Sequence, residues 1–134
     1  MSSISSLASL FPPDGPARDS RRIRVTVARS WWARARGLLF RPAPRRGEGM
    51  LFPGCASVHT WLMSYPIDVV YVDNAGVITK LATGVRPWRF SRGARGARHV
   101  LELGAGESVR LGLRAGERIE FDTDREGVEA ERRR

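Results

Sequence analysis

A mainly β fold is what this sequence predicts, and three observations carry the prediction. The chain has 134 residues, the size of one domain with one core. Its 14 Gly and 8 Pro mark many turns, which suit short strands better than a helical bundle. Apolar residues alternate with period two through several short segments, and only one stretch has the spacing of a helix.

The opening residues, 1–20, are rich in Ser, Pro and Gly without a repeating apolar pattern, so they are expected to form a disordered or loosely attached arm. The domain is expected over 21–122. Ile23, Val25 and Val27 alternate with Arg24, Thr26 and Ala28, a strand with one buried face. Ser30 is a possible N-cap, after which Trp31, Ala35, Leu38 and Leu39 fall on one side of a helix that Pro42 and Pro44 stop. That amphipathic helix is expected to pack over a sheet. Met50 to Phe52 is a short apolar run ended by Pro53-Gly54, and Cys55 to Met63 alternate faces. Ile67 to Val72 is β-branched and leads into Asp73-Asn74-Ala75-Gly76, a hairpin signal before Val77 to Thr83. His99 to Leu103 reads as another strand, Gly106 to Leu113 as a short turn or helix, and Arg118 to Phe121 as the last strand. Residues 123–134 form a charged tail.

The formal net charge of +9 comes from 22 Arg and a single Lys against 14 acids, a bias that GC-rich coding produces by itself. Its distribution says more. Arg21 to Glu48 holds nine Arg and one Glu, and Gly84 to Arg98 holds five Arg and no acid. A solvated surface is the plain reading; two basic segments folding into one patch for phosphate or an acidic partner is the functional one. No helix-turn-helix, zinc finger or RNA-binding motif is present to read bases, so any contact with nucleic acid is expected to be salt-sensitive and not sequence-specific. No apolar run reaches the length of a membrane span, and the start lacks the pattern of an export signal, which points to the cytoplasm. The single cysteine, Cys55, has no partner for an intramolecular disulfide, so packing must hold the fold.

Several ordered blocks resemble one family. They are Arg36-Gly37-Leu38-Leu39-Phe40-Arg41, Gly49-Met50-Leu51-Phe52, His59-Thr60-Trp61-Leu62-Met63, Pro66-Ile67-Asp68-Val69-Val70-Tyr71-Val72-Asp73 and Val100-Leu101-Glu102-Leu103-Gly104-Ala105-Gly106. Together they resemble the prokaryotic domain-of-unknown-function family 192, over roughly Val25 to Phe121, in its Cys/His-bearing branch. The resemblance implies a small antiparallel β-barrel-like domain with one amphipathic helix packed on it. It brings no established activity, and for this branch it implies an accessory role beside a pilus or secretion assembly. Many relatives carry a Phe-Trp-Met block where this chain has Trp61-Leu62-Met63.

Two sets of residues carry possible chemistry. Cys55, His59 and Asp68 are the candidate catalytic set: a thiol nucleophile, an imidazole base and a carboxylate to orient it. On a regular strand Cys55 and His59 lie about 13 Å apart, so the set needs a bend at Pro53-Gly54. The alternative is a small buried cysteine and a hydrogen-bonded histidine. Zinc would have to draw on Cys55, His59, Asp68 and His99, which lack paired ligand spacing, and neither metal nor cofactor is expected. The candidate ligand-binding residues are His59, Trp61, Arg86, Trp88 and Arg89, because Arg86-Pro87-Trp88-Arg89-Phe90 joins guanidinium forks to aromatic faces. Its alternative is a loop whose aromatics close one end of the fold.

Two functions follow. One is a noncatalytic binding or accessory module, with His59, Trp61 and the 86–90 loop lining a concave face for a small anionic ligand or a protein partner. The other is a Cys/His-dependent hydrolase or transferase.

Overall fold

A computed structural model describes residues 3–11, 22–28, 43–61 and 63–122. Among these residues nine strands run in chain order: β1 (Ser3–Phe11), β2 (Arg22–Ala28), β3 (Glu48–Pro53), β4 (Ser57–His59), β5 (Ile67–Val72), β6 (Ile78–Val85), β7 (Phe90–Arg92), β8 (His99–Gly104) and β9 (Arg118–Asp122). The one helix among the described residues is α1 (Glu107–Arg110). The mainly β class expected from the sequence is what the structure shows. Seven strands form one sheet in the order β6-β5-β8-β3-β2-β1-β9, and β4 pairs with β7 as a separate two-stranded lobe.

Four expectations are corrected. The loose arm is not loose at Ser3–Phe11, which is held on both sides by β2 and β9. The sheet is mixed and not wholly antiparallel, since β2 and β3 run parallel. Nor does it close into a barrel: among the described residues its edges meet through the isolated Val77–Arg118 bridge and neighbouring backbone bonds, such as Ile78 N–H to the Glu117 carbonyl at 2.8 Å. The strand expected from Cys55 to Met63 shortens to Ser57–His59. The helix expected from Ser30 and the tail from 123 lie outside the described residues.

The hairpin forms where its turn signal stands. Asp73 Oδ1 accepts the Ala75 and Val77 N–H groups, each at 2.9 Å, an arrangement that folds the chain back on itself. Gly76 takes φ +82°, and a Cβ there would strike the Ile119 carbonyl oxygen, so both backbone and space require glycine.

Every residue of β5 is buried, because this strand is covered on both faces. On one face Val70 and Val72 pack with Ile23, Val25, Leu51, Leu101, Leu103 and Ile119. On the other Val69 and Tyr71 pack with Met50, Phe52, Ala97 and Val100. Each aliphatic side chain so buried contributes about 1.5–3 kcal/mol. The lobe lies over the second face.

Candidate functional site

Alternation along the β4–β7 pair divides its side chains. Val58 and Ser91 are cross-strand partners and face inward: Val58 packs on the second core cluster, and Ser91 Oγ accepts the Tyr71 hydroxyl at 2.7 Å. The pairs Ser57–Arg92 and His59–Phe90 therefore face outward. Gly93 makes the docking close, since a Cβ there would lie 2.7 Å from the Tyr71 ring and from the Ala97 methyl. Lys80 Nζ reaches from β6 to the Arg92 carbonyl at 2.6 Å and lies 5.8 Å from the Tyr71 ring centre. Burial raises the Tyr71 hydroxyl above its ordinary pKa; the Ser91 bond opposes that shift and the charge of Glu102 adds to it.

Thr60 ties the following loop to the lobe. It is fully buried, its hydroxyl donates to the Arg86 carbonyl at 2.5 Å and accepts the Arg89 N–H at 2.9 Å, and its backbone exchanges bonds with Arg89 and Trp88. His59 and Trp61 are thereby brought beside the 86–90 loop. Their ring centres are 5.2 Å apart. Trp61, Trp88 and Phe90 remain 56%, 59% and 65% exposed, which is unusual for three neighbouring large aromatics. Arg86, Arg89 and Arg92 are exposed as well. Trp88 has φ +62°, the one left-handed non-glycine residue among those described, and that conformation costs about 1–2 kcal/mol. The five candidate binding residues thus lie on two exposed segments that Thr60 joins, on the surface of the lobe and not inside a barrel.

The candidate catalytic set does not come together. Asp68 lies on β5 between Ile67 and Val69, so its side chain leaves the sheet on the face opposite theirs. Cys55 packs against the Val69 face, with its thiol 3.9 Å from the Pro53 carbonyl. The Asp68 carboxylate is filled: Oδ1 accepts Gly84 N–H at 2.8 Å, and Oδ2 accepts Gly106 N–H, Ser108 N–H and the Ser108 hydroxyl at 3.1, 3.0 and 2.6 Å. It anchors the start of α1 to the β5–β6 hairpin. His99 is engaged elsewhere, its Nδ1 accepting Gly54 N–H at 3.0 Å and its Nε2 lying 2.9 Å from Asn74 Oδ1. Among the described residues no group of three His, Cys, Asp or Glu is placed to hold a metal ion.

Sequence reasoning passed over Thr60, Arg92 and Glu102. Glu102 is paired with Met50 and Val69 on the lobe side of the sheet, and burial pushes its carboxyl up to about 7. An acid inside the apolar run Val100 to Leu103 was the available signal. For Arg92 the signal is arithmetic: Arg86, Arg89, Arg92, Arg95 and Arg98 stand at every third position.

The model of domain-of-unknown-function family 192, described as uncharacterized ACR, matches residues 15–121. The chain belongs to this family. Curated relatives are uncharacterised UPF0127 proteins: that of Thermococcus sibiricus is 29% identical over 107 residues, covering 77% of this chain and 69% of the relative. That of Pyrococcus furiosus is 32% identical over 105 residues, covering 75% and 89%. A crystal structure of a proposed transcription regulator from Sinorhizobium meliloti superposes with TM-score 0.77 at 25% identity, over 90% of this chain and 96% of that one. A protein of unknown function from Novosphingobium aromaticivorans has the same fold, with TM-score 0.72 at 24% identity over 87% and 84%. Among the described residues of this family member no helix is long and apolar enough to cross a membrane.

Proposed function

We propose that this family member is a noncatalytic binding module whose ledge captures anionic ligands carrying a flat ring. One observation carries the reading: exposed His59, Trp61, Trp88 and Phe90 share two segments tied together by Thr60, and exposed Arg86, Arg89 and Arg92 flank them. Aromatic faces take a planar apolar group, and guanidinium forks take a phosphate or carboxylate bidentately. The left-handed backbone at Trp88 supports the same reading, since strain is retained where the surroundings hold a side chain in position for a partner. A protein partner in a larger assembly would use the same ledge through an acidic segment.

The hydrolase or transferase reading has less support. Its orienting carboxylate, Asp68, is buried on the far face of the sheet with its oxygens already occupied.

The test is a tryptophan-fluorescence titration with phenyl phosphate, and with inorganic phosphate and phenol as its separated halves. Phenyl phosphate should bind at least tenfold more tightly than either half. Arg89→Ala should weaken phenyl phosphate and leave phenol unchanged. Equal, negligible responses to all three would refute the reading.

A further inference from the structure

Resting on that reading, we propose that the ledge is a sequence-neutral site for single-stranded nucleic acid, with bases stacked on the lobe aromatics and phosphates met by the arginine run. Sequence-tolerant single-strand binding combines two elements: aromatic faces on which successive bases stack, and a cationic track along the backbone. Both are present here. His59 and Phe90 stand opposite each other on the outer face of the lobe, Trp61 lies against His59, and Trp88 is held by its N–H to the Thr60 carbonyl at 2.9 Å. Every base has a π face, so such a surface accepts any sequence.

The cationic element follows the aromatic one directly in the sequence. Arg86 and Arg89 bracket Trp88, Arg92 shares the outer face with Phe90, and Arg95 and Arg98 prolong the same three-residue interval. All five are exposed, and the 86–98 segment holds no acid. None of the five forms an ion pair with another described residue; the pairs at Arg110–Glu107 and Arg118–Glu120 lie on other elements. An acidic polypeptide would satisfy the arginines but leave three large aromatic faces without a role. Duplex DNA would hide its base faces in the stack, and the one described helix has four residues, too short to read a major groove.

The experiment is fluorescence anisotropy with the full chain and 5′-fluorescein-labelled 20-mers: oligo(dT), a mixed-sequence single strand and the mixed-sequence duplex. The two single strands should bind within about threefold of each other and at least tenfold more tightly than the duplex. Affinity should fall with salt at a log–log slope of about −3.5, the value for five phosphates neutralised on a single strand. Trp88→Ala and Phe90→Ala should each weaken binding about five- to a hundredfold with the slope unchanged. Arg89→Ala should lower the slope by about 0.7. Thermal melts of each variant separate lost binding from lost folding, and Trp61→Ala gives a further aromatic arm. Equal binding of duplex, aromatic variants that bind like the parent, or tighter capture of polyglutamate would each overturn the proposal. If phenyl phosphate binds while the single strands do not, the occupant named here is wrong and the module reading stands; if nothing binds, both fall.

Discussion

The two faces of the central sheet each bury an acid, on neighbouring strands, and treat it in opposite ways. Asp68 points to the face where α1 docks and receives four hydrogen bonds from three residues, Gly84, Gly106 and Ser108. Glu102 points to the lobe face beside Met50 and Val69, where burial raises its carboxyl to about 7. A carboxyl group supplied with donors ties together the segments that carry them, while one in apolar surroundings resists ionisation. The first face is therefore a finished structural joint. The second carries Glu102 and Tyr71, whose pKa values burial raises, and the strained, aromatic-bearing lobe.

The contrast predicts its largest effect at the joint. Asp68→Ala removes the acceptor for all four donors and should cost about 3–5 kcal/mol, measured by denaturant unfolding. A variant as stable as the parent would mean that the joint is ornamental. On the other face the sign depends on pH. Between about 4.5, the ordinary value of a free Glu, and about 7 the folded state binds more protons at Glu102 than the unfolded state. Its favourable contribution is complete below that window and is lost as pH rises through it, by about 3 kcal/mol. Glu102→Gln should flatten that part of the stability profile, and an unchanged slope would assign it to other groups. The smallest effect belongs to the lobe. Trp88→Gly relieves the left-handed backbone and should raise stability by about 1 kcal/mol while weakening ligand capture about five- to a hundredfold. A variant that loses both would show Trp88 to be packing, against its exposure.

Much of the fold was legible because its signals were local. Asp73 to Gly76 announced the hairpin by side-chain and backbone chemistry within four residues, and Val100 to Leu103 and Arg118 to Phe121 announced strands by their apolar content. Ser3–Phe11 announced nothing, because its strand exists only through ladders to β2 and β9, both distant in sequence. The parallel β2–β3 pairing was equally hidden, since no hairpin turn can join parallel neighbours. In the candidate site, residue types drew attention to His59, Trp61 and the 86–90 loop, which the backbone sets side by side. Their meeting depends on Thr60, whose buried hydroxyl has no signature in sequence. Asp68 was misread as an orienter of His59 because sequence order places the two on successive strands but does not say which side of a doubly covered sheet each side chain takes.

The open sheet also has a bearing on aggregation. Exposed strand edges are templates on which other chains can add, and a sheet that does not close has two of them. Here the edges β6 and β9 lie against each other at Val77 and Arg118, where Gly76, Ile78, Gly116, Glu117 and Ile119 exchange backbone bonds. Further along β6 the Gly84 N–H is taken by Asp68, and exposed Lys80 places a charge between these points. Among the described residues, what remains of the β6 edge for an invading strand is a short interval that carries the Lys80 charge.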